Sequence, residues 1–306
     1  MYRKILTLCL LCCLPAHADL PLTVEDILTA KGQWRVNLGL DYANAETSGI
    51  DAAAPLQVQV GPSQFVSVPT AVGQSRQFTD VLIGSAGLHY GLTGKLELYG
   101  RSSALYESRR SQGLQGGESS SSERWNDIWA GANYELNAEG KRPALYGVAE
   151  LALAERSTDG QQSYGRSMLL GFTSYKTNDP LVLTLTGAWR YNLPRDAGAQ
   201  RLQPGAYLLL QPSVGFAANS DVTLTAGLSW RNQQPDRIDG QSVGLRSTST
   251  AVTGSLAYAW SNELTLILNS KHQASGPGGA EIGLHLYYKF GKTPDLSRLP
   301  VEATQQ

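Results

Sequence analysis

The sequence predicts an all-β protein, namely an antiparallel up-and-down transmembrane β-barrel of about twelve strands, preceded by a short N-terminal helix. Three observations support this prediction. The chain begins with a secretory signal, segments with alternating apolar and polar residues recur after Gln33, and the connections between these segments alternate in length.

The first 18 residues have the pattern of an export signal. Arg3 and Lys4 provide the positive charge, residues 5–14 form an apolar run, and Ala16 and Ala18 form a small-residue cleavage site. The apolar run is short for a spanning helix, so an N-terminal membrane anchor is the less favoured alternative. All three cysteines lie inside this signal, so the mature chain would form no disulfide and no thiolate metal site.

Net charge argues against binding to polyanions. Loss of Arg3 and Lys4 with the signal lowers the formal charge from −1 to −3, because the signal holds no acidic residue. A chain so close to neutral presents no basic surface for nucleic acid. No later segment reaches the roughly 18 consecutive apolar residues that a spanning helix needs.

Strands are predicted from period-two hydrophobicity. In the first of them, Trp34, Val36 and Leu38 share one face, whereas Arg35 and Asn37 share the other. The same pattern predicts twelve strands, at 33–46, 76–90, 95–108, 124–136, 143–154, 164–176, 181–192, 205–217, 222–231, 245–259, 264–272 and 281–290.

Connection lengths favour a membrane barrel over a water-facing one. Short turns such as 91–94 and 177–180 alternate with long polar connections such as 47–75, 111–122, 155–163 and 193–204, as periplasmic turns and extracellular loops do in the bacterial outer membrane. Aromatic residues concentrate near the strand ends, which is typical of interfacial girdles. A soluble barrel or β-sandwich stays the alternative, because periodicity does not show which face is turned inward.

Two segments fit the alternation less simply. Residues 168–172 are apolar on both faces, as are residues 208–210, so part of the inner wall could be apolar or could contact a plug. Residues 56–68 lie within the first long loop but alternate like a strand pair. They would form an extra hairpin, either above the membrane or folded inward.

A periplasmic leader is predicted at 19–32, between the signal (1–18) and the barrel (33–290); a polar tail (291–306) follows the barrel. Thr23 and Asp26 form a capping box for a short helix. Val24, Ile27 and Leu28 follow the i, i+3, i+4 pattern of one apolar helix face, which makes them candidates for a gate in the barrel mouth. The alternative is a frayed leader without a partner.

Charged residues on the polar strand faces are the candidates for lining the lumen. They are Arg35, Asp41, Glu97, Arg101, Glu107, Asp127, Glu135, Glu150, Arg190, Arg231, Lys271, Glu281 and Lys289. The two signs are nearly balanced, whereas charge-selective pores usually carry rings of one sign. Two alternatives follow, a permeation pathway or a network of ion pairs that fills a narrow lumen.

Catalysis is not predicted. The mature chain holds only three histidines, His89, His272 and His285, and the best Ser-His candidate is His272 with Ser270 or Ser275 at the outer rim. A polar loop histidine is the simpler interpretation. No motif of a metal, phosphate-loop or serine-hydrolase site occurs, so neither an enzyme nor a bound metal or cofactor is expected.

The hairpin at 87–99, the closing strand at 283–290 and the entry at 22–44 carry a family resemblance. They resemble the outer-membrane transporter barrels named for the meta-pathway of phenol degradation. The barrel is also similar, more loosely, to the pore that exports functional amyloid subunits. That pore has a long N-terminal helical region, whereas the leader here has only about a dozen residues.

The resemblance implies a channel that passes small molecules, including hydrophobic ones. Two alternatives stay open: a secretion pore for a peptide or amyloid-like subunit, and a structural or adhesive barrel that uses the loop at 47–75. The expected partners are outer-membrane lipid, lipopolysaccharide and the transported small molecule or peptide. Assembly into a homo-oligomer is left open.

Overall fold

The structure, a computed structural model, describes residues 28–52, 56–61, 64–68, 72–113, 116–156, 161–197, 200–276 and 279–291. The predicted signal, the leader up to residue 27 and the tail from residue 292 lie outside these residues. The predictions of a signal, a leader helix and a tail therefore stay predictions. No helix in the described part of the chain is long and apolar enough to cross a membrane.

Nineteen strands form within the described residues. Twelve of them build the barrel: β1 (Trp34–Ala52), β4 (Val72–Gly91), β5 (Leu96–Gly113), β6 (Gly116–Asn137), β7 (Ala144–Arg156), β9 (Ser167–Asn178), β10 (Leu181–Asn192), β13 (Tyr207–Ala217), β14 (Val222–Gln233), β17 (Ser247–Ala259), β18 (Leu264–Ser275) and β19 (Gly279–Phe290). The others are β2 (Leu56–Gly61), β3 (Gln64–Val68), β8 (Gln162–Ser163), β11 (Arg195–Ala197), β12 (Gln200–Gln203), β15 (Asp236–Ile238) and β16 (Gln241–Val243).

Antiparallel pairing closes the sheet on itself. Each barrel strand pairs with the barrel strands that precede and follow it in the chain, including β6 with β7. The last strand, β19, pairs with the first, β1, and Phe290 lies opposite Trp34. Closure leaves no free sheet edge, so every barrel strand has hydrogen-bonding partners on both sides. The predicted twelve-strand up-and-down barrel is confirmed.

The barrel wall is taller on one side. Strands β1, β4, β5 and β6 are 18–22 residues long, whereas the other eight barrel strands have 11–13 residues. Pairing continues to Ala52 opposite Val72 and to Gly113 opposite Gly116. Part of the loops predicted at 47–75 and 111–122 is therefore paired strand.

Some of the other predicted loops also contain short strands. Strands β2 and β3 pair as the hairpin predicted within the first loop. Strands β11, β12, β15 and β16, from the two connections that precede β13 and β17, form a separate four-stranded sheet. The sequence pattern missed this second sheet because strands of three or four residues are too short to show a period.

The turns at the opposite end of the barrel are short, and two of them are joined. Glu139, in the turn between β6 and β7, accepts hydrogen bonds from the backbone N–H and the hydroxyl of Thr177, at 2.7 and 2.8 Å. Partial burial raises the pKa of Glu139, but these bonds and the ion pair with Lys176 outweigh it, so the pKa is lowered overall. This carboxylate fixes the end of β9 to the neighbouring turn.

The two faces of the wall differ in chemistry. Large apolar side chains at alternate positions are exposed, for example Leu183 at 53%, Leu284 at 53% and Leu38 at 48%. The charged and polar side chains on the other face contact strands that are not their neighbours, which is possible only inside the barrel. An outward apolar band of this kind requires lipid around it, so the barrel is a membrane-spanning one and the soluble alternative is wrong.

Candidate functional site

Glu97 lies at the centre of a buried polar cluster near the short-turn end of the lumen. Its side chain is fully buried, and its Oε2 accepts hydrogen bonds from the N–H of Thr29 at 2.7 Å and the hydroxyl of Thr29 at 2.5 Å. Its Oε1 contacts His89 Nδ1 at 2.7 Å and Asn133 Nδ2 at 2.8 Å, and Arg35 Nη2 lies 3.2 Å from Oε2. The carboxylate thus joins three strands and the leader, and a buried charge needs such partners.

Trp129 lies at the centre of a second cluster, farther along the lumen. Trp129 is 1% exposed, and two guanidinium groups contact its ring, with the Cζ atoms of Arg101 and Arg190 at 5.0 and 4.9 Å from the ring centroid. Two carboxylates neutralise these cations: Glu150 is 2.7 Å from Arg101 Nη2, and Glu155 pairs with Arg190. The arginine side chains stay 38% and 26% exposed, so each cation–π contact contributes about 0.5–1 kcal/mol.

Further hydrogen bonds join this second cluster to the wall. The indole N–H of Trp129 donates to Asp127 at 3.0 Å, and the hydroxyl of Tyr99 donates to Glu150 at 2.7 Å. The Tyr99 ring in turn stacks on His89 at 4.8 Å between centroids, which connects it to the Glu97 cluster. The two clusters together occupy lumen space beside β4, β5, β6, β7 and β10, and a further space of about 490 Å³ lies beyond them, along the longer-loop ends of β4, β5 and β6.

The opposite half of the lumen contains free space. A cavity of about 500 Å³ lies along the inner face of β10, β13, β14, β17 and β18 and reaches Asp41 on β1 and His285 on β19. A second cavity of about 380 Å³ lies along the longer-loop side of the same wall. Gln211 and Lys271 border both cavities, so the two spaces adjoin. We call this pair of spaces the crescent cavity.

The remaining lumen candidates lie near the two ends of the barrel or beside the crescent cavity. Glu107 is buried against Arg109 and Arg124, Arg231 lies 4.3 Å over the ring of Tyr207, and Glu135 is 3.9 Å from Lys95. Beside the cavity, Asp41 is 2.8 Å from His285 and Lys271 is 3.2 Å from Glu281. Lys289 lies on β19, in register with Arg35 of β1.

Two interpretations of the candidate charges therefore apply to different parts of the lumen. Glu97, Arg101, Asp127, Glu150 and Arg190 belong to the packed clusters, where their partners are other side chains rather than space. Asp41, Lys271 and Glu281 border the crescent cavity. The functional role of every one of these residues as lumen lining stays a prediction.

Among the gate candidates, the structure describes Leu28 alone; Val24 and Ile27 lie outside the described residues. Leu28 is 8% exposed and packs in a cluster with Ala144, Tyr146 and Tyr175. These partners lie on β7 and β9 and were not anticipated. Of the expected partners, Leu170, Phe172 and Leu208 are 47%, 37% and 40% exposed and belong to the outward-facing set.

Gly91 allows the leader to lie against the wall. A Cβ atom at this position would come within 2.1 Å of the Ala30 carbonyl oxygen and 2.3 Å of the Thr29 carbonyl oxygen. The N–H of Gly32 donates to the Gly91 carbonyl at 2.7 Å. The end of the leader is therefore fixed to the inner wall by backbone contact as well as by Glu97.

Several residues of the two clusters were not predicted from the sequence. Tyr99 and Trp129 have the same parity as the charged candidates on their strands, and this parity would have identified them. Glu155 was assigned to a loop, yet it lies on β7 beyond a register shift at Ile128 and Trp129. A bulge of this kind changes which side chains face inward, and the alternation of residues does not reveal it.

His272, the best enzyme candidate, is exposed near the rim, and the structure shows no contact between it and Ser270 or Ser275. Among the described residues, no group of three or more His, Cys, Asp or Glu residues could hold a metal ion.

No family model matches the chain, and no curated protein matches it. Solved structures do match. An outer-membrane channel from Pseudomonas putida F1 is 16% identical, with a TM-score of 0.59 over 85% of this chain and 96% of that one. The translocator domain of the autotransporter NalP from Neisseria meningitidis is 11% identical, with a TM-score of 0.52 over 85% and 89%. The fold is that of bacterial outer-membrane barrels.

A third match carries less weight. The toluene transporter TodX from Pseudomonas putida is 13% identical, with a TM-score of 0.43, which is too low to support an argument. Identities of this size show the fold alone. The family resemblance drawn from the sequence is therefore supported for the barrel and its place in the outer membrane, and no family model confirms it.

Proposed function

We propose that this barrel is an outer-membrane channel for small molecules and that the crescent cavity is the path they take. One observation carries the proposal: where the two clusters lie, ion-paired side chains occupy the side of the lumen next to β5, β6 and β7, whereas the side next to β13, β14, β17 and β18 holds adjoining spaces of about 500 and 380 Å³. A barrel whose lumen served only for stability would gain by filling both halves. The likeness to the P. putida channel agrees with this proposal at the level of the fold.

A matched pair of substitutions on β17 tests the path. Ser255 borders the larger cavity, and its neighbour Leu256 is 39% exposed on the outward face. Ser255→Trp should reduce single-channel conductance in planar bilayers by at least severalfold, because the indole occupies the cavity. Leu256→Trp places the same ring in lipid and should leave conductance unchanged. Equal conductance in the two variants would place the path elsewhere.

The secretion alternative requires more rearrangement. A polypeptide in transit would need the packed half of the lumen, where Arg101, Arg190 and Trp129 interlock with two glutamates. Their glutamate partners are 9% and 8% exposed, so separating these pairs would leave carboxylates that are nearly buried without a countercharge, at a cost in free energy. The structural or adhesive alternative would apply if the purified barrel inserted into bilayers without conducting.

We also propose that the leader acts as a gate. Its described end is fixed at Leu28 by an aromatic cluster and at Thr29 by Glu97, both inside the barrel wall at its short-turn end. Release of this segment would widen the short-turn end of the lumen. Deletion of residues 20–30 should therefore raise conductance or open probability.

A further inference from the structure

The wall of the larger cavity is built from uncharged hydrogen-bonding side chains. Six inward-facing hydroxyl or amide residues from four strands, β13, β14, β17 and β18, border this space: Gln211, Ser213, Thr225, Thr253, Ser255 and Asn269. Thr186 of β10 adds a seventh. Hydroxyl and amide groups can both donate and accept hydrogen bonds, so such a wall can pair with either kind of group on a solute.

Charged groups beside the same cavity have polar partners. Asp41 lies 2.8 Å from His285, and Lys271 lies 3.2 Å from Glu281. Each acid therefore has a hydrogen-bonding partner, and the wall presents no ring of a single sign. An ionic solute would have to compete with these contacts and would lose part of its hydration on entry.

Apolar contact inside the cavity is scarce. Pro212 and Leu228 border the space, but both belong to the outward-facing set of β13 and β14, and Leu228 is 49% exposed. Hydrophobic stabilisation scales with apolar area removed from water, at about 25 cal/mol per Å². A hydrocarbon would gain little of it against hydroxyl and amide groups and would leave their hydrogen bonds unmet.

Resting on the proposed channel function, we infer that the larger cavity binds a small neutral polyol during passage. The polyol exchanges its hydrogen bonds to water for bonds to the hydroxyl and amide wall. Exchange of this kind gives weak binding, because the net contribution of each hydrogen bond is only about 0.5–1.5 kcal/mol. Weak binding suits a channel, because a solute must leave the site as readily as it enters.

Xylitol, a neutral five-carbon polyol, is a suitable probe in liposome swelling. The double variant T253V/S255A removes two hydroxyls from the cavity wall at nearly constant volume. The control T248V removes a hydroxyl from the opposite face of the same strand, outside the cavity lining. We expect the xylitol swelling rate to fall severalfold in T253V/S255A and to stay at the wild-type value in T248V.

Single-channel potassium conductance, measured on the same three proteins, separates this inference from the channel function. If the proteins conduct potassium but the xylitol swelling rates of wild type and T253V/S255A are equal, the inference is overturned, because pore size alone would then govern passage. A faster rate in T253V/S255A would also overturn it and would favour an apolar cargo. Absence of both conductance and swelling in wild type would refute the channel function itself.

Discussion

The hydrogen bond between Thr29 and Glu97 offers a direct test of the gate. The substitution Thr29→Val replaces the hydroxyl, 2.5 Å from Glu97 Oε2, with a methyl group of similar size. Thr29 is 3% exposed, so water does not replace the lost bond. A hydrogen bond to a charged group contributes about 1.5–3 kcal/mol. Because about 1.4 kcal/mol is a factor of ten, the ratio of released to docked leader should rise about ten- to hundredfold.

Single-channel recording of the mature protein measures this ratio as the relative time spent in open and closed levels. Thr29→Ser keeps the hydroxyl and should behave as the wild type. Gly91→Ala should act in the same direction as Thr29→Val, because its Cβ would displace the carbonyl groups of Thr29 and Ala30. Gly94→Ala, in the adjoining turn, meets no atom within 4 Å and is its control. Dwell times unchanged in both Thr29→Val and Gly91→Ala would refute the gate.

Two predictions concern stability. Glu97→Gln should lower the free energy of unfolding in urea by about 3–5 kcal/mol, because it leaves a buried cationic partner uncompensated. Glu281→Gln, in a pair that is 40–41% exposed, should lower it by at most about 1 kcal/mol. Equal losses in the two variants would contradict the burial of Glu97. Leu185→Arg, midway along β10 on the lipid-facing side, should make the free energy of folding into liposomes less favourable by about 2–4 kcal/mol. An equal loss in Leu185→Ala would show that the charge in lipid is not the cause.

Strand positions could be predicted from the sequence because lipid on one face and polar groups on the other impose a strict period of two. Strand ends were less well predicted where both faces meet water. Strand β6 begins at Gly116 rather than at residue 124, since Ser119 to Ser122 show no contrast between faces. Backbone pairing extends the strand there, and pairing is not visible in local composition.

Inward-facing charges were predictable by the same parity, but their partners were not. The sequence places Glu97 on the polar face, and only the closed barrel brings it to Thr29 and Arg35, which are 68 and 62 residues away in the chain. The enclosed position changes the expected role of Glu97 from a lumen charge to a buried anchor. The same holds for Leu28, whose aromatic partners on β7 and β9 follow more than 100 residues later.

The enclosed indole of Trp129 also makes the packed half of the lumen visible to spectroscopy. Trp34 and Trp189 are 38% and 40% exposed at outward-facing positions, whereas Trp129 is 1% exposed and contacts two guanidinium groups. A quencher carried on lipid acyl chains reaches the outward rings and leaves the enclosed one emitting. In a variant that keeps Trp129 and carries phenylalanine at the other five tryptophan positions, the emission therefore reports whether the packed half stays intact while a solute crosses the other half, a separation that conductance alone does not give.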